Sequence, residues 1–278
     1  MIISIASGKG GTGKTTVATN MAFALGKDVQ ILDCDVEEPN VHLFLHPEIE
    51  NRTVAFTPVP EIDKAKCTYC KKCSDICRFN AIAVLNDIIL TFPELCHSCG
   101  GCMEVCPEKA ITETGRELGV IERGKAGDIR FTHGRLRVGE AMSPPLIKKV
   151  RSFVVDNMIN IIDAPPGTSC PVISAMKKVD YVVMVTEPTP FGLHDLKLAV
   201  EAVKLLGVPH GLVINRSDIG NHDVKEYARK ENIPILMEIP FDRKIAEAYS
   251  NGKMMVQEMP EWKEEFLALY RKIEKLVG

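Results

Sequence analysis

The stretch Ser7–Thr16, SGKGGTGKTT, decides how the rest of the chain is read. Gly8, Lys9, Gly10, Gly11, Thr12, Gly13, Lys14 and Thr15 spell G-x-x-x-x-G-K-[ST] in full, and Thr16 follows. The pattern has a physical reason. Glycines let consecutive backbone N–H groups converge on phosphate oxygens. A helix opening at such a loop points its positive end at the same oxygens. Lys14 is then placed to bridge the terminal phosphates, and the Thr15 hydroxyl to hold Mg²⁺. The context agrees: MIISIAS is a short apolar run before the loop, and KTTVATNMAFALG after it is helical, with Gly26 as a stop.

Working outward, VQILDCD reads as a second buried strand and NRTVAFTPV as a further short one, while EEPNVHLFL fits no element clearly. From residue 144 helices and strands alternate: PPLIKKVRSF helix, MINIID strand, PVISAMKKV helix, DYVVMVTEP strand, FGLHDLKLAVEAVKLLG helix, HGLVINR strand, DVKEYARKEN helix, IPILMEIP strand, DRKIAEAYSNG helix, then a terminal helix. This order predicts an α/β fold with a mostly parallel sheet covered by helices on both faces. The composition breaks in the middle, where eight of the ten cysteines fall between Cys67 and Cys106. We therefore divide the chain into a discontinuous nucleotide domain, 1–60 and 112–278, and a small inserted α+β domain, 61–111. The Gly-rich, alternating stretch from about 113 to 140 predicts strands joined by tight turns.

The inserted segment repeats itself. Cys67, Cys70, Cys73 and Cys77 are followed at a constant interval of 29 residues by Cys96, Cys99, Cys102 and Cys106. C-x₂-C-x₂-C-x₃-C written twice is the pattern of bacterial two-cluster ferredoxins, in which the fourth cysteine of each run ligates the other cluster. That pattern assigns one 4Fe–4S cluster to Cys67, Cys70, Cys73 and Cys106 and the other to Cys77, Cys96, Cys99 and Cys102. CRFNAI and CPEKAI suggest a short helix start after each last cysteine. Arg78 departs from the pattern, standing where such ferredoxins carry Pro, but removes no ligand. Two Cys₄ zinc sites are the competing reading, although zinc ribbons favour paired C-x₂-C knuckles. Disulfides belong to small secreted chains. His97 reads as a loop residue. Lys64, Lys66, Lys71, Lys72 and Arg78 crowd the first repeat, as a solvated surface or as a dock for an acidic redox partner. Arg116, Arg123, Lys125, Arg130, Arg135 and Arg137 make the following segment basic too.

Lys9 is an addition that a phosphate loop does not require. KGGTGKTT resembles the deviant Walker motif of the ParA/MinD ATPases and the nitrogenase iron protein. The resemblance implies ATP as substrate, Mg²⁺, an ATP-dependent homodimer and a Lys9 that reaches the partner subunit's phosphates. In ILDCD, Asp33 and Asp35 resemble the family's Asp-x-Asp, Asp33 helping to hold hydrated Mg²⁺ and Asp35 orienting the attacking water. IIDAPPG resembles switch II, with Asp163 at the metal and Gly167 sensing the γ-phosphate. VINR resembles the adenine-reading segment, with Asn215 at the base, and IPFD at 239–242 lies where the family sets backbone against the other adenine edge. Catalysis is thus carried over to Lys9, Lys14 and Asp35, and Mg²⁺ binding to Thr15, Asp33 and Asp163. Cys170 follows Asp163 at the offset of a cluster-ligating cysteine in the nitrogenase iron protein. It is therefore a candidate dimer-interface thiol, although the second cysteine which that protein needs has no clear match here. Cys34 reads as a core residue.

Bulk properties exclude several classes. A net charge of −3 gives no global case for nucleic acid. No apolar run is long enough to cross a membrane, and MIISIASGKGG lacks the features of a signal peptide. A cytoplasmic setting follows, in which clustered thiols imply metal. Trp262, Phe266, Leu269, Ile273 and Leu276 share a face of the terminal helix. The mixed charges opposite favour docking on the domain's own core over a membrane. The expectation is an ATP-hydrolysing dimeric switch that couples nucleotide state to electron transfer to a partner protein. The alternative is an iron–sulfur or metallocentre maturation factor, or a redox-sensing partner switch. Division-site or DNA positioning has weaker support.

Overall fold

A computed structural model describes all 278 residues. Nine strands form one sheet in the order β11-β10-β9-β1-β8-β2-β7-β6-β3. These are β1 (Ile2–Ala6), β2 (Val29–Asp33), β3 (Glu48–Ile62), β6 (Ile111–Ala126), β7 (Ile129–Leu136), β8 (Ile159–Asp163), β9 (Tyr181–Thr186), β10 (His210–Asn215) and β11 (Ile235–Ile239). The run from β11 to β7 is parallel, and β6 and β3 add an antiparallel pair at one edge. The separate hairpin of β4 (Ile82–Leu85) and β5 (Ile88–Thr91) belongs to the cysteine segment.

The central strands are buried on both faces, as their continuous apolar runs require. Successive residues point to opposite sides, so Val29 and Ile31 join one core and Leu32 the other. On the first face lie α1 (Lys14–Leu25), α10 (Met255–Glu258) and α11 (Trp262–Val277). On the second lie α5 (Pro144–Arg151), α6 (Cys170–Met176), α7 (Pro190–Leu206) and α8 (Asp223–Lys230). Helix α11 buries Phe266, Leu269 and Ile273 in the first core, while Leu276 is half exposed. No helix is long and apolar enough to cross a membrane. The ambiguous segment before β3 contains one helical turn, α2 (His42–Leu45).

The stretch expected as a short strand is the 15-residue β3. It pairs with β6 from Glu48↔Lys125 to Ile62↔Ile111, whereas β7 covers β6 only from Gly119 onward. Residues Ile111–Leu118 and their partners on β3 therefore run on as a two-stranded ribbon beyond Leu136, where β7 ends. Since β7 is parallel to β2, the ribbon leaves at the carboxyl end of the parallel strands. Its eight residues span seven strand rises, roughly 24 Å. A register shift between Ala55 and Phe56 leaves Leu118 unpaired with β3 at the exit, a bulge that bends and twists a ribbon. Gly119 sits there at φ +156 because a Cβ would lie 2.2 Å from the Arg135 carbonyl oxygen.

Residues 63–110 sit at the ribbon's far end. They hold α3 (Lys72–Ile76), α4 (Gly101–Glu104) and the β4–β5 hairpin around a core of Cys73, Ile82, Val84, Ile89 and Ile111. After Cys77 and Cys106 the chain does not start helices. It turns through Asn80 and Lys109 in left-handed conformation into β4 and β6, and the N–H groups of Ala81 and Ala110 donate to the preceding thiol sulfurs at 3.2 and 3.3 Å.

Candidate functional site

The loop between β1 and α1 opens a cleft of about 450 Å³ at the carboxyl end of the parallel strands, the end where open α/β sheets bind ligands. Gly10, Gly11, Gly13, Lys14, Thr15 and Thr16 line one wall. Gly13 caps α1 in a left-handed conformation (φ 97), and a Cβ there would approach Asn215 Nδ2 to 2.6 Å. Gly8 packs so closely on α7 that a Cβ would lie 2.2 Å from the Asp195 carbonyl oxygen. The Thr12 hydroxyl is buried without a hydrogen-bond partner.

Three carboxylates surround this loop and behave differently. Asp163 is buried, accepts the Thr15 hydroxyl at 2.6 Å through Oδ2, and leaves Oδ1 buried without a partner. Burial pushes its carboxyl up, against the pull of Lys14 and the Thr15 hydroxyl. An unsatisfied buried oxygen beside a threonine hydroxyl is a donor set that suits a hard cation such as Mg²⁺. Asp35 faces the cleft, and burial pushes its carboxyl up to about 6, again against Lys14.

Asp33 lies beside Asp163. It is fully buried, and its two oxygens accept the N–H groups of Asp35, Asn40 and Val41 at 3.0 to 3.1 Å. Strand β2 ends at Asp33, and its carboxylate holds the loop that presents Asp35 while keeping part of its acceptor capacity. Gly167 N–H likewise donates to the Ser7 carbonyl at 3.0 Å rather than into the cleft.

Asn215 lines the cleft, but its amide donates to the Thr12 carbonyl at 2.9 Å and so braces the phosphate loop. The opposite wall is Arg216, Ile239, Pro240, Phe241 and Asp242 with Ile245, Ala246 and Tyr249 of α9 (Arg243–Ser250). The three α9 residues escaped sequence reasoning, although their i, i+1, i+4 spacing marks one helix face. Glu187 escaped it as well. Nearly buried at the end of β9, its carboxylate holds Lys9 Nζ at 3.4 Å and Arg216 Nη1 at 2.9 Å. Lys9 is thus tied within its own chain.

At the ribbon tip the eight cysteines divide between two cavities. Cys67, Cys70, Cys73 and Cys106 line one; Cys77, Cys96, Cys99 and Cys102 line the other. Each takes three thiols from one repeat and the fourth from the other. Burial pushes the Cys73 and Cys102 thiols up, and neighbouring thiols add to this. No three of these side chains are drawn together as for a single metal ion, and all ten cysteines are free. Ser98 fastens the second site to the ribbon. Its hydroxyl donates to the Pro58 carbonyl at 2.6 Å and lies 2.8 Å from Thr57 Oγ1, while its N–H donates to Cys96 Sγ at 3.4 Å. His97 stacks on Phe79 at 3.5 Å. Cys34 is buried in the core, and burial pushes its thiol up. Cys170 is exposed at the start of α6.

Comparison with known proteins agrees with this geometry. An uncharacterised protein of Methanocaldococcus jannaschii is 31% identical over 268 residues, covering 92% of each chain. The iron-sulfur cluster carrier protein of Pyrococcus horikoshii is 30% identical over 271 residues, covering 90% of this chain and 77% of that protein. The septum site-determining protein MinD of Pyrococcus horikoshii, solved with Mg-ADP, shares the fold. Its TM-score is 0.62 at 24% identity, over 100% of this chain and 97% of that one. A family model described as the CobQ/CobB/MinD/ParA nucleotide binding domain matches residues 3–256, and the chain belongs to that family of P-loop ATPases.

Proposed function

We propose that this ATPase is a dimeric switch carrying two 4Fe–4S clusters, and that it couples nucleotide state to electron transfer to a partner protein. One observation carries the reading. Each cavity at the ribbon tip is lined by four cysteines, three from one repeat and one from the other, on a ribbon that leaves the nucleotide end of the sheet. A single zinc ion needs four sulfurs at about 2.3 Å. The doubled C-x₂-C-x₂-C-x₃-C run supports a cubane over the paired C-x₂-C knuckles of zinc ribbons. When bound, such clusters exchange single electrons at low potential, of the order of −400 mV.

The chain's own groups have the following roles. The N–H groups of Gly10 to Thr16 and the Lys14 ammonium hold the ATP phosphates. Thr15 and Asp163 hold Mg²⁺. Asp35, half-buried beside Lys14, orients the attacking water. The cleft wall of Phe241, Ile245 and Tyr249 takes the base, with Asn215 bracing the loop beneath it. Lys9 leaves Glu187 and reaches the partner subunit's phosphates, so closure of an ATP-dependent homodimer is built into the site.

A reduction-potential titration of anoxically purified protein, with and without a non-hydrolysable ATP analogue, tests this. Coupling of about 1.4 kcal/mol corresponds to a shift of about 60 mV for one electron. Intact clusters, bound nucleotide and an unmoved potential would refute coupling within the protein. The second reading, a cluster carrier, is favoured by the relatives named as iron-sulfur cluster carrier proteins. It predicts instead that ATP turnover speeds the loss of iron to a chelator.

A further inference from the structure

The two halves of the cysteine segment repeat each other in backbone as well as in sequence. Left-handed residues fall in pairs at the same interval: Tyr69 (φ 55) with Ser98 (φ 54), Lys71 (φ 65) with Gly100 (φ 74), and Asn80 (φ 53) with Lys109 (φ 46). Two pairs set a lysine opposite a residue that takes this conformation more readily, Lys109 opposite Asn80 and Lys71 opposite Gly100. Where the second half has Gly100-Gly101, the first has Lys71-Lys72. The first of these positions caps a short helix in left-handed conformation in both halves. Glycine adopts it freely, whereas a lysine enters it only at an energetic cost.

Nothing inside the molecule offsets that cost. Lys71 and Lys72 are exposed, and both line the cavity of Cys67, Cys70, Cys73 and Cys106, with Glu108 as its one carboxylate. Lys64 is exposed as well, and the one ion pair among the basic residues of this half joins Lys66 to Asp63 at 3.2 Å; Arg78 follows Cys77, which lines the second cavity. The second cavity has no lysine or arginine; Glu113 is its one charged carboxylate neighbour, and Glu94 and Glu104 are exposed on that half. The module therefore has a basic pole at one thiol site and none at the other. Each set has one exposed thiol, Cys70 at this pole and Cys99 at the other site, so the charge and not the exposure distinguishes the two.

We infer that this pole docks an acidic electron-transfer protein, and that electrons enter or leave through the first thiol site. The inference rests on the reading that the thiol sites hold 4Fe–4S clusters. It adds the class of partner and the port. The step is a single-electron exchange: one party is oxidised by the electron that reduces the other, and no bond or proton moves. Charge complementarity sets orientation and encounter rate, and an exposed opening ringed by unpaired cations selects carboxylates. Tuning of the cluster potential by the same lysines is the rival role.

The test compares wild type with the K71G/K72G variant, which installs the dipeptide the second half already uses. Iron and sulfide content and the EPR signal of reduced wild type come first; a wild type without clusters refutes the proposed function and this inference with it. Stopped-flow reduction is then followed with two probes, reduced acidic flavodoxin and reduced methyl viologen, a cation. The expected result is a roughly tenfold slower reaction with flavodoxin at low ionic strength. That difference should vanish in high salt, with no slowing by viologen. A second variant, K64E, keeps the loop backbone and should slow flavodoxin likewise. Equal slowing of both probes with a moved cluster potential assigns the lysines to tuning and overturns docking. Unchanged flavodoxin rates in both variants overturn it too.

Discussion

Neutralising Glu187 should tighten the nucleotide-dependent dimer. In the monomer the Glu187 carboxylate lies 3.4 Å from Lys9 Nζ and 2.9 Å from Arg216 Nη1. The gross attraction to Lys9 is about 5 kcal/mol at an effective dielectric of 20. Most of it is cancelled by desolvation and side-chain ordering, because Lys9 keeps 31% of its side chain exposed. Exposed pairs retain at most about 1 kcal/mol, and the nearly buried partner puts this pair at the upper end. Lys9 forfeits that amount when it crosses to the other subunit. A symmetric dimer forfeits it twice, about 2 kcal/mol, or roughly 30-fold in dissociation constant. The Glu187→Gln substitution keeps shape and hydrogen-bonding capacity, and it leaves two cations facing each other. Sedimentation velocity with a non-hydrolysable ATP analogue should therefore show a dimer about 30-fold tighter, with no change in the nucleotide-free state. An unchanged or weaker dimer would refute the idea that Glu187 restrains Lys9 and would make the contact an incidental surface pair.

Further outcomes follow from the same geometry. The Gly13→Ala substitution places a methyl group 2.6 Å from Asn215 Nδ2 in a left-handed conformation. It should cost about 2 kcal/mol of stability in urea unfolding, from backbone strain and the disturbed bond to Thr12, and weaken nucleotide binding measured by calorimetry. Thr15→Ala removes the hydroxyl held by Asp163 and should abolish the dependence of ATP hydrolysis on added Mg²⁺ by abolishing hydrolysis itself, with the fold retained by circular dichroism. Cys102→Ser should remove about half the iron, and Cys106→Ser the other half, each leaving one EPR signal; the loss of all iron in either variant would contradict two separate sites. Ser98→Ala deletes the bonds to Thr57 and Pro58 and should lower hydrogen-exchange protection of the 96–102 loop by about 1 kcal/mol, leaving ATP hydrolysis intact.

What the sequence makes legible is what local chemistry forces. Gly13 must be glycine because of its own φ and the atom it faces, and a repeat of four cysteines at constant interval needs no tertiary context. What the sequence leaves unread has tertiary causes. Asp33 and Asp35 alternate as if on one strand face, but the strand ends between them, and nothing in ILDCD shows that the first carboxylate also holds the loop that presents the second. The length of β3 is hidden by Pro58 and Pro60, which argue against a central strand. They are tolerated because β3 is the sheet edge and pairs on one side only. Glu187 carries no signal in VTEPTPFG, because its partners come from the phosphate loop and from the residue after β10. The wall of α9 is equally silent, since an amphipathic helix shows its spacing but not which cleft it closes.

The bulge at Leu118 gives the proposed coupling a structural route. Val36, next to Asp35, accepts the Leu136 N–H at 2.8 Å through its carbonyl, and the following N–H, of Arg137, donates to the Leu118 carbonyl at 2.8 Å. Two successive backbone hydrogen bonds thus tie the loop that presents Asp35 to the residue where the ribbon leaves the sheet. The root is stiffened beyond this point by Arg116, whose guanidinium is buried against the Glu140 carboxylate, which also accepts the Met142 N–H at 3.1 Å. A displacement of the Asp35 loop is therefore applied at the base of a lever of roughly 24 Å rather than absorbed by a flexible linker. A bulge bends and twists a ribbon locally, so a displacement at the root would swing both thiol sites together. That geometry separates this chain from a tethered ferredoxin. Loop-tethered clusters would feel the nucleotide only through collisions, whereas the proposed clusters, on a hydrogen-bonded ribbon rooted beside Asp35, would be placed by the state of the nucleotide cleft.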